Sequence, residues 1–129
     1  MIVTRKLVLA VLTGIAIGIA AATLIQARQF KAAPGYIIAE VEVTDPAALQ
    51  KYGAKVPETL APFNHQYIIR GGKTRSLEGD PPKGIVMIAF DSVEKAQAWY
   101  DSPAYDAIKP IRIGSTKSRV FIAEGVAPK

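Results

Sequence analysis

The chain has 129 residues, enough for one domain and too few for two. It contains no cysteine and one histidine, His65, which excludes disulfides, thiol chemistry and a multi-histidine metal site. The net charge of +5 comes from lysines and arginines scattered along the chain, without the clustering that a nucleic-acid interface requires. We therefore expect no metal or other cofactor and no nucleic-acid partner.

The N-terminal segment has the layout of an export signal. Arg5 and Lys6 precede 19 uncharged residues, 7–25, and small side chains follow. Cleavage after Ala22 or Ala27 would release the rest of the chain, whereas a retained run would span about 28 Å and anchor it in the inner membrane. Both alternatives predict a periplasmic or otherwise extracytoplasmic protein, in contact with the membrane only through this segment. The predicted divisions are 1–27 as signal peptide or membrane anchor, 28–35 as linker and 36–129 as the domain.

The first half of the domain predicts a strand followed by a helix. Residues 36–43 are rich in β-branched side chains and alternate toward their end, which is typical of a strand. Asp45 can cap the free amides of a helix, and Pro46 suits the first helical position. Pro57 predicts a break or kink near Val56. The predicted apolar stripe of this helix comprises Leu49, Tyr52, Val56 and Leu60.

The second half repeats the pattern. We predict strands at 66–70 and 84–90 with a polar loop at 73–83 between them, and the strand at 84–90 is apolar on both faces, as in the middle of a sheet. Asp91-Ser92 caps a second helix, Ser102-Pro103 interrupts it, and 104–113 continues as a bent helical segment. The last predicted strand is 119–124.

The element order predicts an α+β, ferredoxin-like βαββαβ fold: a four-stranded antiparallel sheet with two helices on one face. An offset of 47 residues aligns the halves, placing Tyr52 on Trp99. The other sheet face carries Tyr36 and Ile38 and needs a cover, for which a second copy of the sheet is the simplest. We therefore expect a homodimer that forms a dimeric α/β barrel with a cavity inside.

With these elements placed, the sequence resembles the bacterial family known as domain of unknown function 1330, a branch of the dimeric α/β-barrel superfamily. The resemblance covers about 36–126. It rests on GYIIAEVEVTD at 35–45, YIIRGG at 67–72, LEG at 77–79, WYDSPAY at 99–105, IKPIR at 108–112 and FIAEG at 121–125. It implies the fold and a homodimer but no activity, since relatives in the superfamily include cofactor-independent monooxygenases, haem-degrading enzymes and isomerases.

The resemblance also implies that several charged residues gather at the mouth of the cavity. These are Arg70, Glu78 and Arg112, with Trp99 and Tyr105 as walls. An arginine fork can hold a carboxylate or an enolate through two parallel hydrogen bonds.

Each candidate also has a purely structural interpretation. Arg70 and Glu78 can form an ion pair that fixes the loop, and Trp99 and Tyr105 can be packing aromatics. His65 is a candidate general base because it titrates near neutral pH, although a solvated histidine in a polar turn is the more common case.

Two functions therefore stay open on sequence grounds. The first is an exported homodimer that binds a small anionic or aromatic molecule in its barrel cavity. The alternative is a cofactor-independent small-molecule enzyme, monooxygenase- or isomerase-like. The lack of a convincing base or nucleophile favours the binding protein.

Overall fold

The computed structural model describes residues 32–129, so the predicted signal segment and the first half of the predicted linker, residues 28–31, lie outside the described residues. Within 32–129 no helix is both long and apolar enough to cross a membrane. The elements are β1 (Gly35–Val43), α1 (Pro46–Leu60), β2 (His65–Arg70), β3 (Ile85–Phe90), α2 (Val93–Tyr100), α3 (Pro103–Ser115) and β4 (Thr116–Glu124).

The strands form one antiparallel sheet in the order β2-β3-β1-β4, which confirms the predicted ferredoxin-like fold. The apolar strand β3 lies inside the sheet, as its sequence indicates. β1 begins at Gly35, one residue earlier than predicted, and a side chain there would overlap the backbone of Ser92 and Val93. Glycine is therefore required where the first strand passes the start of α2.

Helix α1 begins as predicted but does not break at its proline. The side chain of Asp45 accepts a hydrogen bond from the Ala48 amide at 3.1 Å, and Pro46 occupies the first turn. The helix continues through Pro57 to Leu60. Pro57 is exposed, so its ring projects into solvent, while burial of Val56 and Leu60 holds the helix against the sheet.

The predicted second helix is two helices, so the fold has three rather than two. α2 ends at Tyr100, and Ser102 starts α3 by accepting a hydrogen bond from the Tyr105 amide at 3.3 Å. The same hydroxyl donates to the Trp99 carbonyl at 2.7 Å, which ties the two helices together. β4 then follows α3 directly and begins at Thr116, three residues earlier than predicted.

The core lies between the sheet and the helices. The rings of Phe90 and Trp99 stack at 5.6 Å, and the Trp99 indole donates to the Thr59 hydroxyl at 3.0 Å. Among residues 32–129 no helix covers the opposite sheet face. There Ile68 is 47% exposed and Phe121 43% exposed. The sheet is therefore packed on one face and open, with apolar side chains, on the other.

Candidate functional site

A cavity of about 440 Å³ lies between the sheet and helix α1, within one chain. The sequence-based expectation placed a cavity elsewhere, between the sheets of two chains, and that stays a prediction. The space exists because small or short side chains meet there: Ala39 and Val86 on the sheet, and Gly53 on the helix. A Cβ atom added to Gly53 would meet nothing within 4 Å. The volume is in the range of pockets that bind small organic molecules.

Arg112 is the most buried charged group of this cavity. It comes from the last turn of α3, is 6% exposed and lines the cavity wall. Its Nε donates to the Tyr105 hydroxyl at 3.2 Å and its Nη1 donates to the Ser118 hydroxyl at 2.7 Å. Hydroxyl groups hold the guanidinium in place but carry no charge to balance it.

No carboxylate neutralises Arg112 within the described part of the chain, where the ion pairs are Lys109–Asp106 and Arg119–Glu40. Nη2 of Arg112 donates to no atom there. Among residues 32–129 no fully buried side-chain nitrogen or oxygen lacks a hydrogen-bond partner, so Nη2 keeps some exposed surface, and Arg112 is one of the residues that line the cavity. A buried cation that faces an apolar space is a strong attraction for an anion.

Two tyrosines extend this arrangement across the cavity. The hydroxyls of Tyr52 and Tyr105 lie 2.9 Å apart, and their rings meet edge to face at 6.3 Å. One of the two hydroxyl protons is donated in the hydrogen bond between the tyrosines. The Tyr105 oxygen also accepts a hydrogen bond from Arg112. The remaining proton is available to a ligand, because both side chains line the cavity.

The electrostatics of this cluster keep Tyr52 neutral and Arg112 charged. Burial, reinforced by the neighbouring Tyr105, raises the pKa of Tyr52 far above its ordinary value. Burial works against the charge of Arg112, but the hydroxyls of Tyr105 and Tyr52 more than offset it, and its pKa is raised. At neutral pH Arg112 is therefore a cationic hydrogen-bond donor and Tyr52 is a neutral phenol.

A β-bulge brings Arg70 to the same cavity. Tyr67 pairs with Ile88 and Arg70 pairs with Val86, so three steps along β2 match two along β3. Without this irregularity, residues three apart would point to opposite faces. The bulge turns Arg70 to the helical face, where its guanidinium lies over the Tyr67 ring at 4.6 Å.

Arg70 and Lys83 mark the mouth of the cavity, because both are exposed and both line it. They flank the loop between β2 and β3, and Gly71 at the start of this loop has a φ of 67°. No aspartate, glutamate or histidine lines the cavity among the described residues. Its charged lining is thus entirely cationic.

Two of the predicted site residues lie elsewhere. Glu78 lines a separate depression within the exposed loop, with Arg75 and Pro81, and forms neither a cavity wall nor the alternative ion pair with Arg70. His65 bonds through Nδ1 to the Phe63 carbonyl at 2.8 Å and does not line the cavity. Glu78 lies in a loop whose position depends on contacts that the sequence pattern does not encode, whereas His65 begins β2, at the opposite end of that strand from Arg70, which lines the cavity.

The other four predicted residues meet at the cavity: Arg70, Trp99, Tyr105 and Arg112. Trp99 is also a core residue, 2% exposed, whose ring lies 4.2 Å from that of Tyr105. Sequence reasoning missed Tyr52, Tyr67, Lys83 and Gly53. The sequence did indicate Tyr52, because the internal repeat aligns it with Trp99. Nothing in the sequence indicated the other three as site residues.

The comparisons with known proteins agree with this fold. The family described as "Domain of unknown function (DUF1330)" matches residues 34–126. The chain belongs to this family. No curated protein matches the sequence.

Solved structures resemble the DUF1330 chain in fold. A protein of unknown function from Rhodopseudomonas palustris, RPA0582, shares 15% identity at a TM-score of 0.61, over 81% of this chain and 93% of its own. A dimeric ferredoxin-like protein of unknown function from Thermobifida fusca shares 16% identity at a TM-score of 0.52, over 74% and 93%. Both are below the identity at which function transfers, and they support the architecture alone.

Proposed function

We propose that this DUF1330 protein binds a small organic anion with a flat apolar body in the cavity between the sheet and α1. The observation that carries the proposal is the buried guanidinium of Arg112, a residue that lines the cavity and has no carboxylate partner in the described chain. A carboxylate there would receive hydrogen bonds from Arg112 and from the Tyr52–Tyr105 pair. The aromatic and aliphatic walls would cover its body.

The lining supports binding rather than acid–base catalysis. Among the described residues it contains no carboxylate or imidazole, the groups that most often move protons near neutral pH. Tyr52 is a poor base as well, since its raised pKa reflects an environment that keeps the phenol protonated. The enzymatic alternative has no comparable observation in its favour.

A homodimer through the open sheet face completes this proposal. Ile38 faces Met87 on one side and Phe121 on the other in the strand register, so apolar side chains run across three strands. The similar protein from Thermobifida fusca is described as dimeric. The cavity lies on the opposite face, and each subunit would hold its own ligand.

Export also stays a proposal, resting on the basic start and uncharged run of the N-terminal segment. N-terminal sequencing of protein from the envelope fraction should begin between residues 23 and 35 if the segment is cleaved. Full-length chain free in the cytoplasm would rule out both the cleaved and the anchored form.

The anion site is tested by native mass spectrometry and calorimetry. Wild-type protein purified from its own host should retain an organic acid, and Arg112→Met, of similar length without charge, should retain none. With benzoate as probe, Arg112→Met should bind roughly 10-fold to 100-fold more weakly, the loss typical of a charged hydrogen bond. Equal benzoate affinity in the folded variant and wild type would contradict the proposal.

A further inference from the structure

The wall of the cavity formed by α1 contains a backbone feature that the anion site does not explain. Gly53 lies in the middle of this helix and lines the cavity. Glycine weakens a helix interior relative to alanine, and packing does not require it here, because an added Cβ would meet nothing within 4 Å. Having no side chain, Gly53 presents its backbone to the cavity.

The carbonyl oxygen of Gly53 also lacks its helical partner. In an α-helix this oxygen accepts from the amide four residues later, and that residue is Pro57, which has no N–H. Within the described chain, no side chain and no backbone amide of another element donates to it. The proline ring also pushes the preceding turn away, which tilts this carbonyl off the helix axis.

The missing amide of Pro57 and the missing side chain of Gly53 both affect the Gly53 carbonyl oxygen. Pro57 leaves the Gly53 oxygen without its usual helical donor, and the missing side chain of Gly53 lets another molecule approach that oxygen closely. Tyr52, the neighbour of Gly53, is hydrogen-bonded to Tyr105, which accepts from Arg112. One stretch of cavity wall thus carries a cationic donor cluster and a backbone acceptor that lacks its helical donor.

We propose that the Gly53 carbonyl, released by Pro57, accepts a hydrogen bond from the ligand, so that the ligand is a flat organic acid bearing a hydroxyl or amino donor. This inference rests on the proposed function, because it adds a second contact to a ligand whose anion Arg112 holds. A backbone acceptor that loses its water when a ligand binds and gains no donor is unfavourable, so the site discriminates against acids that carry no hydroxyl or amino donor.

The test compares full-length wild type with Pro57→Ala, using benzoate and the 2-, 3- and 4-hydroxy- and aminobenzoates as probes in calorimetry. The substitution would supply the missing amide and occupy the Gly53 carbonyl while leaving every side chain of the cavity lining in place. Wild type should bind at least one substituted probe about 5-fold more tightly than benzoate, the effect of one hydrogen bond. Pro57→Ala should lose that preference, bind benzoate as wild type does and melt at a higher temperature.

Pro110→Ala is the matched control. Pro110 also lies inside a helix, α3, but the carbonyl that it releases belongs to Asp106, an exposed residue away from the cavity. This variant should melt higher and keep the wild-type preference.

An unchanged preference in Pro57→Ala would overturn the inference and leave the anion site standing. If wild type bound no substituted probe more tightly than benzoate, the inference would also be overturned and the anion site would stand. If no probe bound the wild type at all, the anion site and this inference would both fail.

Discussion

The guanidinium carbon of Arg70 lies 4.6 Å from the centre of the Tyr67 ring, although the two residues are three positions apart on one strand. In a regular strand they would face opposite sides of the sheet. The bulge between Tyr67 and Ile69 removes this alternation and delivers a cation to the mouth of the cavity. The placement of Arg70 thus depends on one extra residue in β2.

We expect Arg70→Ala to weaken benzoate binding less than Arg112→Met does. Arg70 is exposed, so water and salt screen its charge, and a loss of about 2-fold to 5-fold is expected at low salt. Calorimetry at low and high ionic strength should show the loss disappearing as salt is added. Arg75→Ala, an exposed cation outside the cavity lining, should have no effect. A salt-independent loss as large as that of Arg112→Met would place Arg70 in direct contact with the anion.

Substitutions that add a side chain at Gly53 should change the stability of the domain and its binding of benzoate independently. Gly53→Ala is expected to raise the free energy of unfolding by about 1 kcal/mol, because it improves helix propensity without a clash. Gly53→Leu should occupy the cavity and abolish benzoate binding while the domain stays folded. Denaturant titration and calorimetry measure the two effects.

Gly114→Ala provides the control for both substitutions at Gly53. Gly114 lies in α3, an added Cβ there meets nothing within 4 Å, and it does not line the cavity. It should change stability without changing affinity. Unimpaired benzoate binding by Gly53→Leu would show that the ligand lies elsewhere.

Tyr52 should make stability fall at alkaline pH. Its pKa in the folded protein is raised above the ordinary 10.0, mainly by burial. Its contribution is therefore fully present below about pH 10 and is lost as pH rises further, because the unfolded chain releases the proton first. By pH 11 wild type should lose about 1 kcal/mol more than Tyr52→Phe does, relative to pH 8. Urea titrations at the two pH values test this, and parallel losses in both proteins would contradict it.

The open sheet face predicts the assembly state. Burying Ile38 and its neighbours favours association at about 25 cal/mol per Å² of apolar surface, so Ile38→Lys should give monomers or insoluble protein. Ile113→Lys is the control, because Ile113 is an apolar residue on α3 that is 59% exposed and lies off this face. Sedimentation velocity at micromolar concentration distinguishes the two variants. A monomeric wild type would refute the sheet-to-sheet dimer.

Local signals in the sequence were sufficient for the fold. Alternation in β1, the cap at Asp45 and the doubly apolar β3 each depend on neighbours in the chain, and the structure confirms them. The division of the second helix was visible at Ser102-Pro103, but its result, a new capped helix, was not predicted.

The site was only partly predictable. Arg112 and Tyr105 were selected through the family resemblance, which implies charged residues at the mouth of the cavity and aromatic residues as its walls. Glu78 could not be placed, since its loop has exposed residues throughout and few contacts that fix its path. The bulge that orients Arg70 was equally invisible, because bulges arise from pairing between strands.

The cavity and the open apolar face use alternate residues of the same strands. Ile37 and Ala39 point toward the helices, while Ile38 between them points to the other side. A mutation in one set leaves the other set unchanged. Natural selection could therefore alter what the cavity accepts without disturbing the proposed contact between sheets, and members of the family could diverge in ligand while keeping that contact.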